Sequence, residues 1–485
     1  MNPTRTMSQT IVAAIFALTL PVRADILRPV DGGEIVAAIT REGTDLLLDT
    51  PMGPYRFPRS DFREVVAILD PAKEWPARRA KALAGGAPER TSAALWALDY
   101  GLIAECEAML SEVQTVDAKH QPAARMRAAL DRLRTSLDDP DLTPLLRGLP
   151  AEHRVRRGPH VVLMHQHSDA DAAERVAVLE NVITAYYLHF AAIGLELAAP
   201  TRRIPSMWFA HKDEYVAFLR SEGATAFLNT RGYHHQTRGL VVAFDCRDEP
   251  ARIRSRETIR SGRAELDKFA SQTEKIPVKG RATVRLRGEP RTLDRGGAKT
   301  LLESLRRQLD LQEIAGEVSR RDLDWAIAAH ETVHQLVALS KLAPRHDAFP
   351  NALHEGLAMQ FETIVGGRWG GLARPSALRV RDYRTLAALP RLEPTIRDAG
   401  FGPGYKAEAY ARAWATVYYL RTDRPAVYLA LLDGLRAPAD HPRPPGERAG
   451  EILRSLIEPG EDERWHRWMT KQVRNPDPEP GQATR

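Results

Sequence analysis

Cysteine is almost absent. Cys106 and Cys246 are the only two in 485 residues, which excludes a disulfide-stapled scaffold. Their spacing gives no support for a bond, and we read both as unpaired thiols. Long apolar runs are equally scarce: "IVAAIFALTL" near the start is half the ~20 residues a spanning helix needs, and no later stretch reads as long and apolar enough. Charge of one sign is missing too. The formal net charge is +6, short of a nucleic-acid signature. No Ser-His-Asp set and no phosphate-binding glycine loop can be picked out. What remains, with 43% hydrophobic residues, is a globular chain long enough for two or three domains.

The first 24 residues read as a secretory signal. Arg5 lies in a short polar start, the apolar run follows, and "PVRA" puts small Val22 and Ala24 where a signal peptidase prefers them. Cleavage is expected after Ala24. Loss of Arg5 and Arg23 would leave a mature chain of charge +4, exported to the periplasm or outside the cell. No cysteine follows the run, so a lipid anchor is not expected.

The pattern along the mature chain predicts an α+β multidomain protein. From 25 to 72, short β-rich runs alternate with turns at "DGG", "REGT" and "PMGP", the spacing of a small β-barrel-like module. From 73 to 135 the period becomes helical. One pair there resembles a single tetratricopeptide-like unit, with Trp96, Tyr100 and Gly101 near the first helix end. A lone repeat cannot bury its own face, so this pair is expected to pack on a neighbour or to dock a protein partner. Residues 136–158 read as a linker.

A further domain is predicted over 159–473. It opens with an α/β layer in which "HVVLMH", "IPSMWFA" and "TRGLVVAFD" are strands and "AAERVAVLENVITAYYLHFAAIGLEL" and "KDEYVAFLRS" are helices. Residues 247–320, where bases and acids interleave as on a solvated helix face, read as an insertion with a hairpin at "ATVRLRGEPRTLDR". From Asp322 to Val473 everything is helical in pattern. The ending 474–485 is a disordered tail by composition.

Chemistry concentrates in "WAIAAHETVHQLVAL". Positions i and i+4 share a helix face, so His330 and His334 project together and can offer two imidazoles to one ion. Glu331 is displaced around the helix, where it can face a water instead of the metal. A catalytic zinc site takes three protein ligands and keeps one position open. Glu355 in "FPNALHEGLAMQFE" is the candidate third ligand. Pro350 and Asn351 supply a turn and N-cap, Gly366 and Gly367 a stop, and a helix over Ala352–Ile364 can fold back beside the first. Glu362 lies two turns further on the same face and could serve instead. We read it as an acceptor for a ligand imidazole.

"HETVHQ" followed by "HEGLA" resembles the gluzincin metallopeptidases, which pair HExxH with a Glu on the next active-site helix. The combination looks more closely like a bacterial family of exported proteins known mainly as a domain of unknown function, over roughly 150–475. That resemblance implies a gluzincin-like domain, an α/β layer followed by an all-helical active-site half. It also implies zinc held by His330, His334 and Glu355, with Glu331 as general base. Tyr410 in "AYARAWATVYYL" matches the position from which aminopeptidase-like gluzincins donate to the oxyanion. Where the pattern usually carries Trp three residues before the ligand Glu, this chain has Ala352. The activity so implied is peptide-bond hydrolysis through a metal-activated water. The alternative is a non-catalytic exported binding or scaffold protein with a structural or vestigial zinc site.

Other histidines carry less. His165, His167, Asp169 and Asp171 in "MHQHSDAD" read as a strand end with a helix N-cap. The pair His234 and His235 is no stronger. His354 points about 100° away from Glu355 around its helix, and Gln335 reads as a helix-surface amide.

Overall fold

The computed structural model describes residues 24–30, 34–50, 52–147, 149, 153–286, 289–343, 349–398, 400–401, 407–437 and 443–474. The expected signal before Ala24 and the expected tail beyond Arg474 lie outside the described residues. The fold is mixed α+β and mainly helical.

Five strands open the described residues: β1 (Ala24–Pro29), β2 (Ile35–Glu42), β3 (Asp45–Thr50), β4 (Gly53–Pro58) and β5 (Phe62–Ala67). They form one antiparallel sheet in the order β4-β3-β2-β1-β5, which does not close into the expected barrel. Alternating burial reports one covered face and says nothing of what covers it. Here a helix does so: Leu27, Ile35, Leu48 and Phe57 pack on Leu311, Ile314 and Val318.

Four helices follow where one pair is expected: α1 (Pro71–Leu83), α2 (Ala87–Asp99), α3 (Ile103–Val116) and α4 (Ala123–Leu133). Trp75 stacks on Trp96, which leans on Tyr100. These helices share the largest core of the molecule. The Ala373 amide donates to Asp99 O at 2.8 Å, and Arg374 reaches Leu69 O and the Tyr100 ring.

After the short α5 (Thr143–Leu146) come β6 (Arg154–Arg157), β7 (Val161–His165), α6 (Asp169–Ile193), β8 (Ile204–Phe209), α7 (Lys212–Ser221), β9 (Gly232–His235) and β10 (Leu240–Phe244). The sheet order is β6-β7-β8-β10-β9. β7, β8 and β10 run parallel, flanked by antiparallel β6 and β9. The three central strands are buried along their whole length, as a sheet covered on both faces requires. Their continuous apolar runs are the signal by which the sequence announces them. β6 falls in the expected linker, and β9, with its Gly and two His, carries no strand signal.

α6 corrects one sequence expectation, because it is long and apolar enough to cross a membrane. It runs instead through the main core, with Leu179, Val182, Ile183, Tyr186, Leu188 and Phe190 fully buried. From Val182 to Ala191 every residue but Thr184 is buried, and a stretch buried nearly all round is apolar nearly all round.

The expected insertion is an arm made of α8 (Pro250–Glu274), the hairpin β11 (Arg281–Leu286) and β12 (Glu289–Asp294), and the start of α9 (Arg295–Leu339). α9 is 45 residues long. It does not stop where the insertion was expected to end but carries on through His330 and His334. The rest is helical apart from one small hairpin: α10 (Asn351–Ala358), β13 (Ile364–Val365), β14 (Arg368–Trp369), α11 (Ala377–Arg384), α12 (Leu392–Ile396), α13 (Ala407–Asp423), α14 (Pro425–Arg436), α15 (Pro445–Leu456) and α16 (Glu461–Arg474). The expected helix to Ile364 therefore stops at Ala358, where a single 3-10 turn leads into the hairpin. Cys106 and Cys246 are buried and unbonded.

His189 of α6 is buried beside Phe190 and Tyr428. Burial, with the charge of Arg421 adding to it, pushes its imidazole down to about 3. An unfolded histidine titrates near 6.5, so between these values protons bind the unfolded chain alone. This stability is present above about pH 6.5 and is lost as pH falls. Unfolding free energies from denaturant titrations at pH 7.5 and pH 5 are expected to differ by about 2 kcal/mol on this account. His189→Phe should remove that part of the pH dependence, and an unchanged slope would reject it.

Candidate metal centre

α9 is set against the sheet by a buried charge network six residues ahead of His330. Asp324 accepts the Cys246 amide at 2.9 Å and Arg320 Nη1 at 2.7 Å. Arg320 also donates to Asp245 at 2.9 Å, and Arg247 reaches the other Asp245 oxygen at 2.7 Å. Buried Arg175 stands 3.7 Å from Asp245 and 4.0 Å from Asp324. One turn beyond the motif's start, Gln335 is fully buried and donates to Pro205 O at 3.2 Å and to Gly239 O. This corrects its reading as a surface amide: the face of α9 that carries Gln335 lies on the sheet. Helix rotation is thereby fixed, and His330 and His334 turn towards α10.

α10 is held by two devices. Asp398 accepts the Ala352 amide at 2.7 Å and the Asn351 amide at 3.0 Å, so a distant carboxylate caps a helix start that its own residues leave uncapped. Gly356 allows α13 to approach: a Cβ there would lie 2.6 Å from Ala413 O and 2.5 Å from Val417 Cγ2. The glycine of "HEGLA" is thus a packing requirement.

These constraints bring His330, His334 and Glu355 together, with one ligand atom from each lying within 4.8 Å of the others. The two Nε2 atoms are 3.0 Å apart. Glu355 Oε2 is 3.1 Å from His330 Nε2 and 3.6 Å from His334 Nε2. A tetrahedral ion with bonds of ~2.0–2.1 Å separates its ligand atoms by about 3.3 Å, so the triangle has the dimensions of a zinc face. Glu355 Oε2 is buried and completes no hydrogen bond among the described residues. A carboxylate oxygen facing two imidazole nitrogens at these distances is a donor set suited to a cation. The three side chains expose 12%, 13% and 19% of their surface.

Electrostatics point the same way. Burial disfavours a charged His330, but Glu355 and Glu362 outweigh it and raise the imidazole to about 10. Burial would raise Glu355, yet the neighbouring His334 and His330 hold it well below the usual carboxylate range. Glu331 has no such rescue. Burial lifts its carboxyl above the ordinary value despite the lowering pull of His330 and His334. It lies against β9, where a Cβ on Gly232 would stand 2.7 Å from Glu331 Cγ.

Glu362 does not join the triangle. Its Oε1 is 2.7 Å from His330 Nδ1, and Arg379 of α11 donates to both carboxylate oxygens at 2.8 and 2.7 Å. Burial opposes ionisation of Glu362, and the Arg379 charge with the His330 contact still brings it to about 2. The Arg379 guanidinium also stands 6.0 Å from the Tyr410 ring centroid, joining Tyr410 to the cluster. His354 approaches the far nitrogen of His334, Nδ1 to Nδ1 at 3.3 Å, on the side away from Glu355. Sequence reasoning missed Arg379, Asp398 and Gly232, which no motif spacing connects to the histidines.

Away from this site, Ser168 caps α6 by accepting the Asp171 amide, and His167 stands 3.7 Å from Asp245. The histidines and acids of "MHQHSDAD" are spread over a strand end, a cap and the charge network.

For zinc held by the three groups, Glu362→Gln is expected to lower affinity 10–100-fold, since the acceptor orienting a ligand imidazole is weakened and Arg379 loses its counter-charge. Competition with a chromophoric chelator measures this, and unchanged affinity would make the contact mere packing. Residues 324–439 match a family described as "Protein of unknown function (DUF1570)". That span is narrower than the 150–475 of the sequence resemblance, includes all six candidate site residues, and carries no assigned activity. No curated protein and no solved structure matches the chain.

Proposed function

We propose that the protein is an exported zinc-dependent peptidase of gluzincin type. The observation that carries this reading is the convergence of His330, His334 and Glu355 beside Glu331. The export component rests on the N-terminal signal pattern.

A zinc ion held by these three groups supplies an acidified water and a Lewis acid for a carbonyl oxygen. The chain's own residues do the rest. Glu331, one position on from His330, is turned about 100° away around the helix and stays out of the ligand set. Its raised pKa suits it to take a proton from an attacking water and to pass that proton to the leaving amine. Glu362, clamped by Arg379, keeps the His330 ring oriented. Tyr410, beside Arg379, is the candidate donor to the developing oxyanion. A purely structural zinc site has no use for a half-buried Glu331 with a raised pKa, which favours the catalytic reading over a scaffold role.

Elemental analysis of the purified parent after dialysis should find near-stoichiometric zinc, with clear loss in Glu355→Ala. Against a peptide library, Glu331→Gln should keep its zinc and lose about 10²–10⁴-fold in turnover. A folded parent that takes up no zinc on reconstitution would end the metal reading. Equal turnover by parent and Glu331→Gln would end the assignment of the base.

A further inference from the structure

The arm of α8, the β11–β12 hairpin and the start of α9 has a core of its own. Leu266, Phe269, Ile276, Val284, Ala298 and Leu302 close on one another in a cluster separate from the rest. Along the shaft, several bases pair with acids: Arg263 with Asp310 and Glu313, Lys268 with Glu265, and Arg307 with Asp61 of the N-terminal sheet.

The tip differs. Its geometry is built, since Arg295 and Lys299 pair with Glu274 across the end of the arm and the Arg285 amide donates to Gln272 Oε1 at 3.1 Å. On that frame Lys275, Lys279, Arg281 and Arg291 stand exposed, against the two acids Glu289 and Asp294. Between Lys275 and Lys279 lies Val278, 82% exposed and the most exposed large hydrophobic side chain among the described residues. Pro277 beside it is exposed as well.

The bases alone would fit any polyanion. Val278 separates the possibilities, because an apolar side chain held in water gains by entering a bilayer interface and gains nothing beside nucleic-acid phosphates. We propose that the arm tip docks on an anionic phospholipid bilayer, with Val278 entering the interface and the surrounding bases facing the headgroups. Each base brought to such a surface contributes about fivefold in binding. The tip and the metal centre lie on one helix, 35 residues apart from Arg295 to His330. A docked tip therefore sets the site about 50 Å away along the α9 axis. The inference is independent of the metal reading.

The test is sedimentation of the purified mature protein with vesicles of mixed phosphatidylglycerol and phosphatidylcholine, and with phosphatidylcholine alone. The parent should pellet with the mixed vesicles only, with binding that falls steeply as salt rises. The double reversal Lys279→Glu, Arg281→Glu should weaken binding at least tenfold. Val278→Asn should weaken it severalfold on vesicles while leaving binding to heparin, a polyanion with no apolar phase, unchanged. All three positions are exposed, so far-UV dichroism should match the parent. Failure of the parent to bind mixed vesicles, or equal vesicle binding by parent and either variant, would overturn the proposal.

Discussion

The rotation of α9 about its own axis is the constraint on which the molecule depends. Along its 45 residues it begins at the arm tip and presents Leu311, Ile314 and Val318 to the N-terminal sheet. It then locks onto the central sheet through Arg320, Asp324 and Gln335, and it offers His330 and His334 to α10. At about 100° per residue, a one-residue slip would swing the histidines out of reach of Glu355 and bury Glu331 elsewhere. A buried ion network is weak as a source of stability but strong as a specifier of register, because any other alignment strands a charge. Asp245 and Asp324, shared among Arg175, Arg247 and Arg320, fit that role.

Around the candidate centre the charges form a graded series. Glu355 and Glu362 flank His330 on its two nitrogens, Arg379 neutralises Glu362 from outside, and Glu331 stays apart with an elevated proton affinity. Two carboxylates near one imidazole leave the inner triangle short of positive charge. A proton on His330 supplies it in one state and a divalent cation would supply it in the other, so binding of the cation is linked to release of that proton. Burial pushes both Glu355 and Glu331 upward, and only Glu355, which faces the imidazole nitrogens, is brought back down below the usual carboxylate range.

Legibility followed the range of the interactions. Fully buried strands β7, β8 and β10 were readable because a run of apolar residues is a local signal. β9 was not: its strand character comes from pairing with β10 and its Gly232 from the closeness of Glu331. The barrel-like expectation for β1–β5 failed because alternation is the same whether a sheet covers itself or is covered by α9. α6 read as an ordinary amphipathic helix, and the nearly all-round apolarity of its second half took its meaning from the sheet and helices that surround it.

The sequence by itself determined which groups could act as a unit. The four-residue spacing of His330 and His334, the offset of Glu331, and a Glu-Gly helix start after a loop are all consequences of helix geometry within one short stretch. The tertiary structure decided how those groups are held and charged. Capping of α10 by Asp398, the clamp of Arg379 on Glu362, and the burial of Gln335 join residues 17 to 130 positions apart. Side-chain periodicity carries no record of partners at such separations, because they are chosen by packing in three dimensions.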